Sequence, residues 1–187
     1  SSMSVYGMET GVITRDTVPQ PKSLYGKSKL EAEKLIEPLN DEKFKVAIIR
    51  PPMIYGKGCK GNYEKLSKLA LKTPIFPNIL NQRSMIYCDN LSEHIRKIIE
   101  KYESGFFFPQ NEEYVCTTEL VRLISENHGK KIILTKLFNP IISIFQISLI
   151  KKVFGNLVYD KSMSDFTQIK YNVVNFKSSI NSTEDKD

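Results

Sequence analysis

The sequence predicts an α/β fold built on a parallel sheet. Strand-like and helix-like stretches alternate along most of the 187 residues, which is the pattern of α/β chains. The run FKVAIIR (44–50) is almost continuously apolar and rich in β-branched residues, as a strand covered on both faces reads. Apolar residues make up 41% and charged residues 26% of the chain, enough apolar material for one sizeable core.

The elements follow in order. SSMSVYG (1–7) ends a strand or opens a loop. Gly11, Pro19 and Pro21 make 8–22 a loop. Ser23 is placed to cap a helix over about 24–38, with Glu31, Glu33 and several lysines on its wet side. The strand 44–50 follows, stopped by Pro51-Pro52, then a Gly/Lys loop over 54–62 and a short helix over 62–72. Residues 73–82 read as irregular. SMIYC (84–88) is a strand, and Asp89 or Asn90 caps a helix running to about 103. GFFFP (105–109) is the next strand. Thr117 caps a helix over 118–128 that Gly129 closes, and KIILTK (131–136) is a further strand. The polar end NSTEDKD (181–187) reads as a frayed tail.

The stretch IISIFQISLIKKVF (141–154) is too short to span a bilayer and contains Gln146 and Ser148. It reads as a buried or groove-lining helix, with an amphipathic membrane-surface helix as the alternative. No transmembrane segment and no signal peptide are read, which suits a cytoplasmic location.

The formal net charge of +6 is spread as single lysines, a solvated surface that also suits anionic ligands. Aromatic residues are not interleaved with the basic ones in a strand-like pattern, which argues against nucleic-acid binding. Cys59, Cys88 and Cys116 have no paired spacing, as in a reducing compartment. The only histidines, His94 and His128, are far apart, so no metal site or Ser-His-Asp triad is expected.

Four short pieces could carry chemistry. Tyr25 and Lys29 lie four apart in SLYGKSKLEAEKL (23–35), on one helical face. A lysine ammonium beside a phenol favours the phenolate, which makes tyrosine a useful acid/base toward a hydroxyl. The same spacing also arises on any lysine-rich helix. Ser2 and Ser4 could hold a substrate oxygen, or simply bond their own backbone. RPPMIYGKG (50–58) places backbone at the C-terminal end of a strand, where α/β folds bind ligands, but lacks the GxGxxG order. Arg83, ahead of a strand in RSMIYCDNL (83–91), suits a phosphate or a wet surface equally.

In this order the four pieces resemble the extended short-chain dehydrogenase/reductase family, the sugar-nucleotide epimerases and dehydratases. The resemblance runs from residue 1 to about 103 and continues weakly to about 180, where VYDKSMSD (158–165) is similar to a late Asp-x-Ser segment. It implies the C-terminal half of a doubly wound Rossmann-type parallel sheet plus a small α/β substrate-binding domain. Residues 1–60 would be the remaining part of the dinucleotide-binding domain with its catalytic helix. Residues 61–180 would be a mixed substrate-binding region with a returning sheet strand near 84–88, and 181–187 the tail.

The resemblance also implies roles. Tyr25 would be the acid/base, and Lys29 would hold the nicotinamide ribose. Ser2, with Ser4 beside it, would bind the reacting sugar oxygen. The backbone of Pro51, Pro52 and Met53 would lie near the nicotinamide of NAD, or of NADP as the alternative. Arg83 and Asn62 would face the diphosphate of a nucleotide sugar, most simply a UDP-linked one. Dehydrating members carry Asp-Glu where Met3-Ser4 stand, so 4-epimerisation is expected, with NADPH-dependent reduction or a non-catalytic binding module as alternatives. Family members often pair through this helix, so the resemblance leaves a homodimer through the Tyr25 helix open. No glycine-rich dinucleotide loop occurs in the 187 residues. The chain is therefore expected to be the C-terminal portion of such an enzyme, and inactive alone.

Overall fold

Every strand ladder among the described residues is parallel. The computed structural model describes residues 1–144, 148–164 and 170–185. After a 3-10 turn at Met3–Tyr6, the elements run β1 (Gly11–Ile13), α1 (Leu24–Ile36), β2 (Ala47–Ile49), β3 (Met53–Tyr55), α2 (Asn62–Lys72) and β4 (Ile75–Pro77). They continue with β5 (Met85–Tyr87), α3 (Cys88–Glu100), β6 (Gly105–Phe107), α4 (Thr117–Asn127) and β7 (Ile133–Thr135). The chain ends with α5 (Asn139–Ile144), α6 (Ser148–Phe154), β8 (Leu157–Tyr159), α7 (Lys161–Ser164) and α8 (Phe176–Glu184). The partners are β1 with β8, β2 with β6, β3 with β5, and β4 with β7. The fold is α/β, as expected.

The registers explain the burial. Ile49 sits opposite Phe107, and the Arg50 N–H donates to the Phe107 carbonyl at 2.9 Å, carrying the ladder one residue past β2. Tyr55 sits opposite Tyr87 in a pair whose second strand is wholly buried. The main core collects Tyr55, Tyr63, Phe76, Met85, Leu120, Ile124 and Ile180 from β3, α2, β4, β5, α4 and α8. A smaller core of Val5, Tyr6, Ile13 and Tyr159 lies behind the first turn. Both are apolar surfaces removed from water, the dominant favourable term in folding.

Several elements differ from the sequence expectation. The 8–22 loop contains β1, the irregular 73–82 stretch contains β4, and the start of the 54–62 loop belongs to β3. Each is only three residues long and bordered by Gly or Pro. Its strand state comes from a partner far along the chain, such as Gly11 opposite Leu157. Asp89 and Asn90 do not cap α3, which begins at Cys88 directly after β5. Asn90 is buried instead. Its Oδ1 accepts from the Val173 and Val174 N–H groups and its Nδ2 donates to the Val174 carbonyl, clamping the C-terminal segment.

Likewise α4 starts at Thr117, and Cys116 holds its N-cap position. The tail is helical to Glu184, because Asn175 caps α8 and Ile180 is buried in the main core. The carboxylate of Glu184 accepts from Tyr63 and pairs with His128 at 2.8 Å, so His128 is structural. The 141–154 stretch is divided between α5 and α6; its residues 145–147 lie outside the described residues, as do Asp165 of the late Asp-x-Ser segment and residues 186–187 of the tail. No helix among the described residues is long and apolar enough to cross a membrane.

Candidate active site

The Ser2–Ser4 turn and the first turn of α1 meet backbone to side. Ser2 caps the 3-10 turn: its Oγ accepts from the Ser4 N–H at 3.2 Å and from the Ser4 hydroxyl at 3.0 Å. The expectation of a strand end or loop gives way to this turn, because Gly7 ends it in the left-handed region at φ +63. A Cβ at Gly7 would lie 2.0 Å from the Gln20 carbonyl oxygen, so glycine lets the turn press on the segment ahead of α1. Ser23 caps α1 by accepting from the Gly26 N–H at 3.0 Å, as its sequence position suggests.

Gly26 is buried, and a Cβ there would lie 2.6 Å from the Ser4 carbonyl oxygen. This close approach packs the first turn of α1, which carries Tyr25, against the backbone of the Ser2–Ser4 turn. The Met3 N–H donates to the Pro51 carbonyl at 2.9 Å, so the backbone after β2 joins the same corner. Pro52 is buried, and Met53 opens β3 with its side chain packed on the main core. Tyr25 itself is 56% exposed, and the Lys29 ammonium stands 5.4 Å from its ring centroid.

What fixes α1 is a buried ion pair that the sequence reading placed in water. Glu33, one turn past Lys29, is not on the wet side. It is buried, and both its oxygens accept from Arg50: Nε to Oε1 at 2.9 Å and a terminal nitrogen to Oε2 at 2.6 Å. The Ser1 hydroxyl also donates to Glu33. Arg50 donates further to the Tyr6 hydroxyl at 2.9 Å and stacks 4.5 Å from the Phe106 ring centroid. Burial opposes the Arg50 charge, yet its hydrogen bonds to Glu33 and Tyr6, with their charges, outweigh it and leave its pKa above the ordinary value. Burial raises the Tyr6 pKa, with Arg50 working against that rise. Glu33, Arg50 and Gly26 therefore position the corner without being candidates in the sequence. A single charge ending an apolar strand, at Arg50, was the available signal.

The other two candidates stand apart. Asn62 is the first residue of α2, exposed, after Gly61 at φ +143. Arg83 precedes β5, half-buried, and donates to the Gly155 carbonyl at 2.9 Å. Burial lowers its pKa, and no carboxylate pairs with it among the described residues. Among the described residues no hydrogen bond joins Asn62 or Arg83 to Tyr25, Lys29 or the serines. No group of His, Cys, Asp and Glu among them could hold a metal ion.

Residues 1–116 match the family model for the NAD dependent epimerase/dehydratase family. The chain belongs to that family. A UDP-glucose 4-epimerase from Vibrio cholerae is 36% identical over 108 residues, covering 54% of this chain and 33% of that protein. An N-acetyl-α-D-glucosaminyl-diphospho-ditrans,octacis-undecaprenol 4-epimerase from Escherichia coli O157:H7 is 30% identical over 111 residues, covering 57% of this chain and 34% of that protein. These matches span about a third of the relatives' length. A UDP-glucuronic acid 4-epimerase structure from Bacillus cereus, in complex with NAD, superposes with a TM-score of 0.72 at 18% identity. It covers 98% of this chain and 58% of that one, so this family member shares the parallel α/β fold of that enzyme over nearly all of its own length.

Proposed function

We propose that this chain carries the catalytic tyrosine, lysine and serines of an NAD-dependent 4-epimerase acting on a diphosphate-linked sugar, most simply a UDP-sugar. The observation that carries this is the corner where Gly26 touches the Ser4 carbonyl. That contact packs the start of α1, which carries Tyr25 and Lys29, against the Ser2–Ser4 turn, and the Met3 N–H ties this turn to the Pro51 carbonyl, which supports a shared site. Both curated relatives are named for hexoses carried on a diphosphate, which supports the substrate class.

These residues fit the nicotinamide-ribose end of NAD. A phenol and an ammonium stand together on α1, and the serine hydroxyls lie in the turn that α1 packs against, which is itself bonded to the strand-end carbonyl of Pro51. When bound, NAD supplies the acceptor for the hydride at the sugar C4. The Tyr25 oxygen would take the proton of the C4 hydroxyl and give it back to the same oxygen once the configuration at C4 is inverted. Ser2, held by Ser4, bonds the same sugar oxygen and fixes its distance from Tyr25. Lys29 would hold the ribose hydroxyls of NAD. No carboxyl group stands at Met3 or Ser4 to drive an elimination, which favours epimerisation over dehydration.

Arg83 makes no ion pair among the described residues, and its guanidinium is suited to the sugar diphosphate, with Asn62 beside the glycine loop as a second contact. The exposed Leu24 and Leu35, three turns apart on α1, supply an apolar face for a homodimer through that helix. The test is a Tyr25→Phe substitution in protein that includes a glycine-rich dinucleotide half. A fall in kcat of about 10²–10⁴ with UDP-glucose affinity retained is expected. Full activity in that variant would remove Tyr25 from the chemistry. Titration of the 187-residue chain with UDP-glucose, with Arg83→Met as control, reads the substrate half separately.

A further inference from the structure

Two of the three cysteines, far apart in the sequence, stand on either side of one glycine. In the β3–β5 ladder Tyr55 sits opposite Tyr87, so Gly56 and Cys88 come next along the two strands. They are in contact: a Cβ at Gly56 would lie 2.2 Å from the Cys88 Sγ and 3.1 Å from its Cβ. Only glycine leaves room there for the thiol. The Cys59 N–H donates to the Gly56 carbonyl at 3.1 Å and closes a four-residue turn. The ends of such a turn have Cα atoms within about 7 Å of each other. Cys59 therefore stands one turn-width from the residue that Cys88 covers. A negative charge on Cys59 is felt at Cys88, where it adds to burial and Asp89 in raising the thiol pKa.

The two cysteines are held differently. Cys88 is the first residue of α3; its side chain packs against the main core, and its Sγ donates to the Asp89 carboxylate at 3.4 Å. Cys59 rides on a turn that little else touches. Among the described residues, a Cβ at Gly58 or Gly61 would meet nothing within 4 Å. The turn has room to make the small shift that joins two cysteines, whose Cα atoms must stand about 4.4–6.8 Å apart. Both thiols are half-buried rather than enclosed, so reagents reach them. Cys116 is placed otherwise: its Sγ donates to the Ile79 carbonyl at 3.5 Å, ahead of α4.

We infer that Cys59 and Cys88 are a thiol–disulfide exchange site, and that their reversible disulfide pins the 56–61 turn to the start of α3. Asn62 follows directly, so the first turn of α2 is pinned with it. The oxidant is a low-molecular-weight disulfide. Burial, with Asp89, pushes the Cys88 thiol up to about 11, which makes it a poor first nucleophile. The Cys59 thiolate attacks one sulfur of the reagent; the reagent's S–S bond breaks, and one thiolate leaves and takes up a proton. Cys88 then gives its proton to solvent and attacks the Cys59 sulfur. The mixed disulfide breaks, and the second reagent thiolate leaves. In sum, two protein thiols lose two electrons and two protons, and one reagent disulfide becomes two thiols. A thiolate that its surroundings do not stabilise leaves slowly, so the bond is slow to reopen at Cys88. The inference does not depend on the epimerase reading.

The experiment treats the folded 187-residue chain with oxidised glutathione, blocks remaining thiols in denaturant, and maps the peptides without reduction. The expected product is a Cys59–Cys88 link within one chain, opened again by reductant. The linked chain is expected to melt about 5–10 °C above the reduced one. Trypsin should cut the native linked chain after Lys57 and Lys60 several-fold more slowly. Cys59→Ser, a change in the open turn, should abolish the link and the melting shift, while Cys116→Ser should keep both. No link, a link to Cys116 or between chains in its place, or glutathione retained on Cys59 without closure would overturn the inference. So would a linked chain that melts no higher or is cut as fast, because the bond would then have formed at the expense of the native turn.

Discussion

Replacing Glu33 with Gln tests whether a buried ion pair fixes helix α1. The carboxylate accepts two hydrogen bonds from Arg50, and both side chains are nearly without solvent contact, at 2% and 9% exposure. Glutamine keeps the shape but supplies one oxygen and turns an N–H toward an N–H. Arg50 then stays buried, bonded to Tyr6, with its charge unanswered. Leaving one partner of a buried pair alone costs about 3–5 kcal/mol, and the retained oxygen puts Glu33→Gln near the lower end, at about 3 kcal/mol. With a urea m-value of about 2 kcal/mol/M, the unfolding midpoint should fall by about 1.5 M.

The same structure predicts the partner experiment. Arg50→Met alone should cost a similar amount, because Glu33 is then the uncompensated charge. The double variant Glu33→Leu/Arg50→Met should lose clearly less than the sum of the singles, by about 2 kcal/mol or more, since no buried charge remains. It should not recover fully, because the Tyr6 hydroxyl loses its donor and Phe106 its stacked guanidinium. The assay is urea denaturation of all four proteins, repeated at high salt, which should change the differences little because the pair is shielded from ions. A single-variant loss below about 1 kcal/mol, or additivity in the cycle, would refute the claim that this pair anchors α1.

Two further substitutions follow. Gly26→Ala places a methyl 2.6 Å from the Ser4 carbonyl oxygen and should cost about 1–3 kcal/mol by overpacking, read as a lower melting temperature; an unchanged melt would show that the corner is not closely packed. His94 is buried against Phe107 and Tyr171 with no hydrogen-bond partner among the described residues, and burial lowers its pKa from 6.5 to about 4. The folded protein therefore holds His94 neutral where the unfolded chain would protonate it, so its contribution is full above pH 6.5 and is lost as pH falls toward 4. The total is about 3 kcal/mol. In His94→Leu the stability difference from the parent should shrink by that amount across this window, and a parallel pH profile would contradict the assignment.

The sequence by itself determined the local parts of this protein. Ser23 as a cap, the Tyr25–Lys29 face and the apolar strand before Arg50 depend on residues within a few positions of one another. So did the family, because its motifs are short and ordered. Only the tertiary structure decided which charges are structural. Glu33 looks like any solvated glutamate on a lysine-rich helix, and it becomes a buried anchor because Arg50, seventeen residues on, ends a strand beneath it. Gly26 has the same standing: its need to be glycine exists only because the Ser4 carbonyl, far back in the chain, presses on α1. The three-residue strands β1, β4 and β8 carry too little pattern to be read alone. They exist because hydrogen bonds to a distant segment satisfy backbone groups that would otherwise be buried without partners. The physical reason is the same throughout. Local conformational preference is written in neighbouring residues, whereas burial and charge pairing are properties of surfaces that come into being only when distant segments meet.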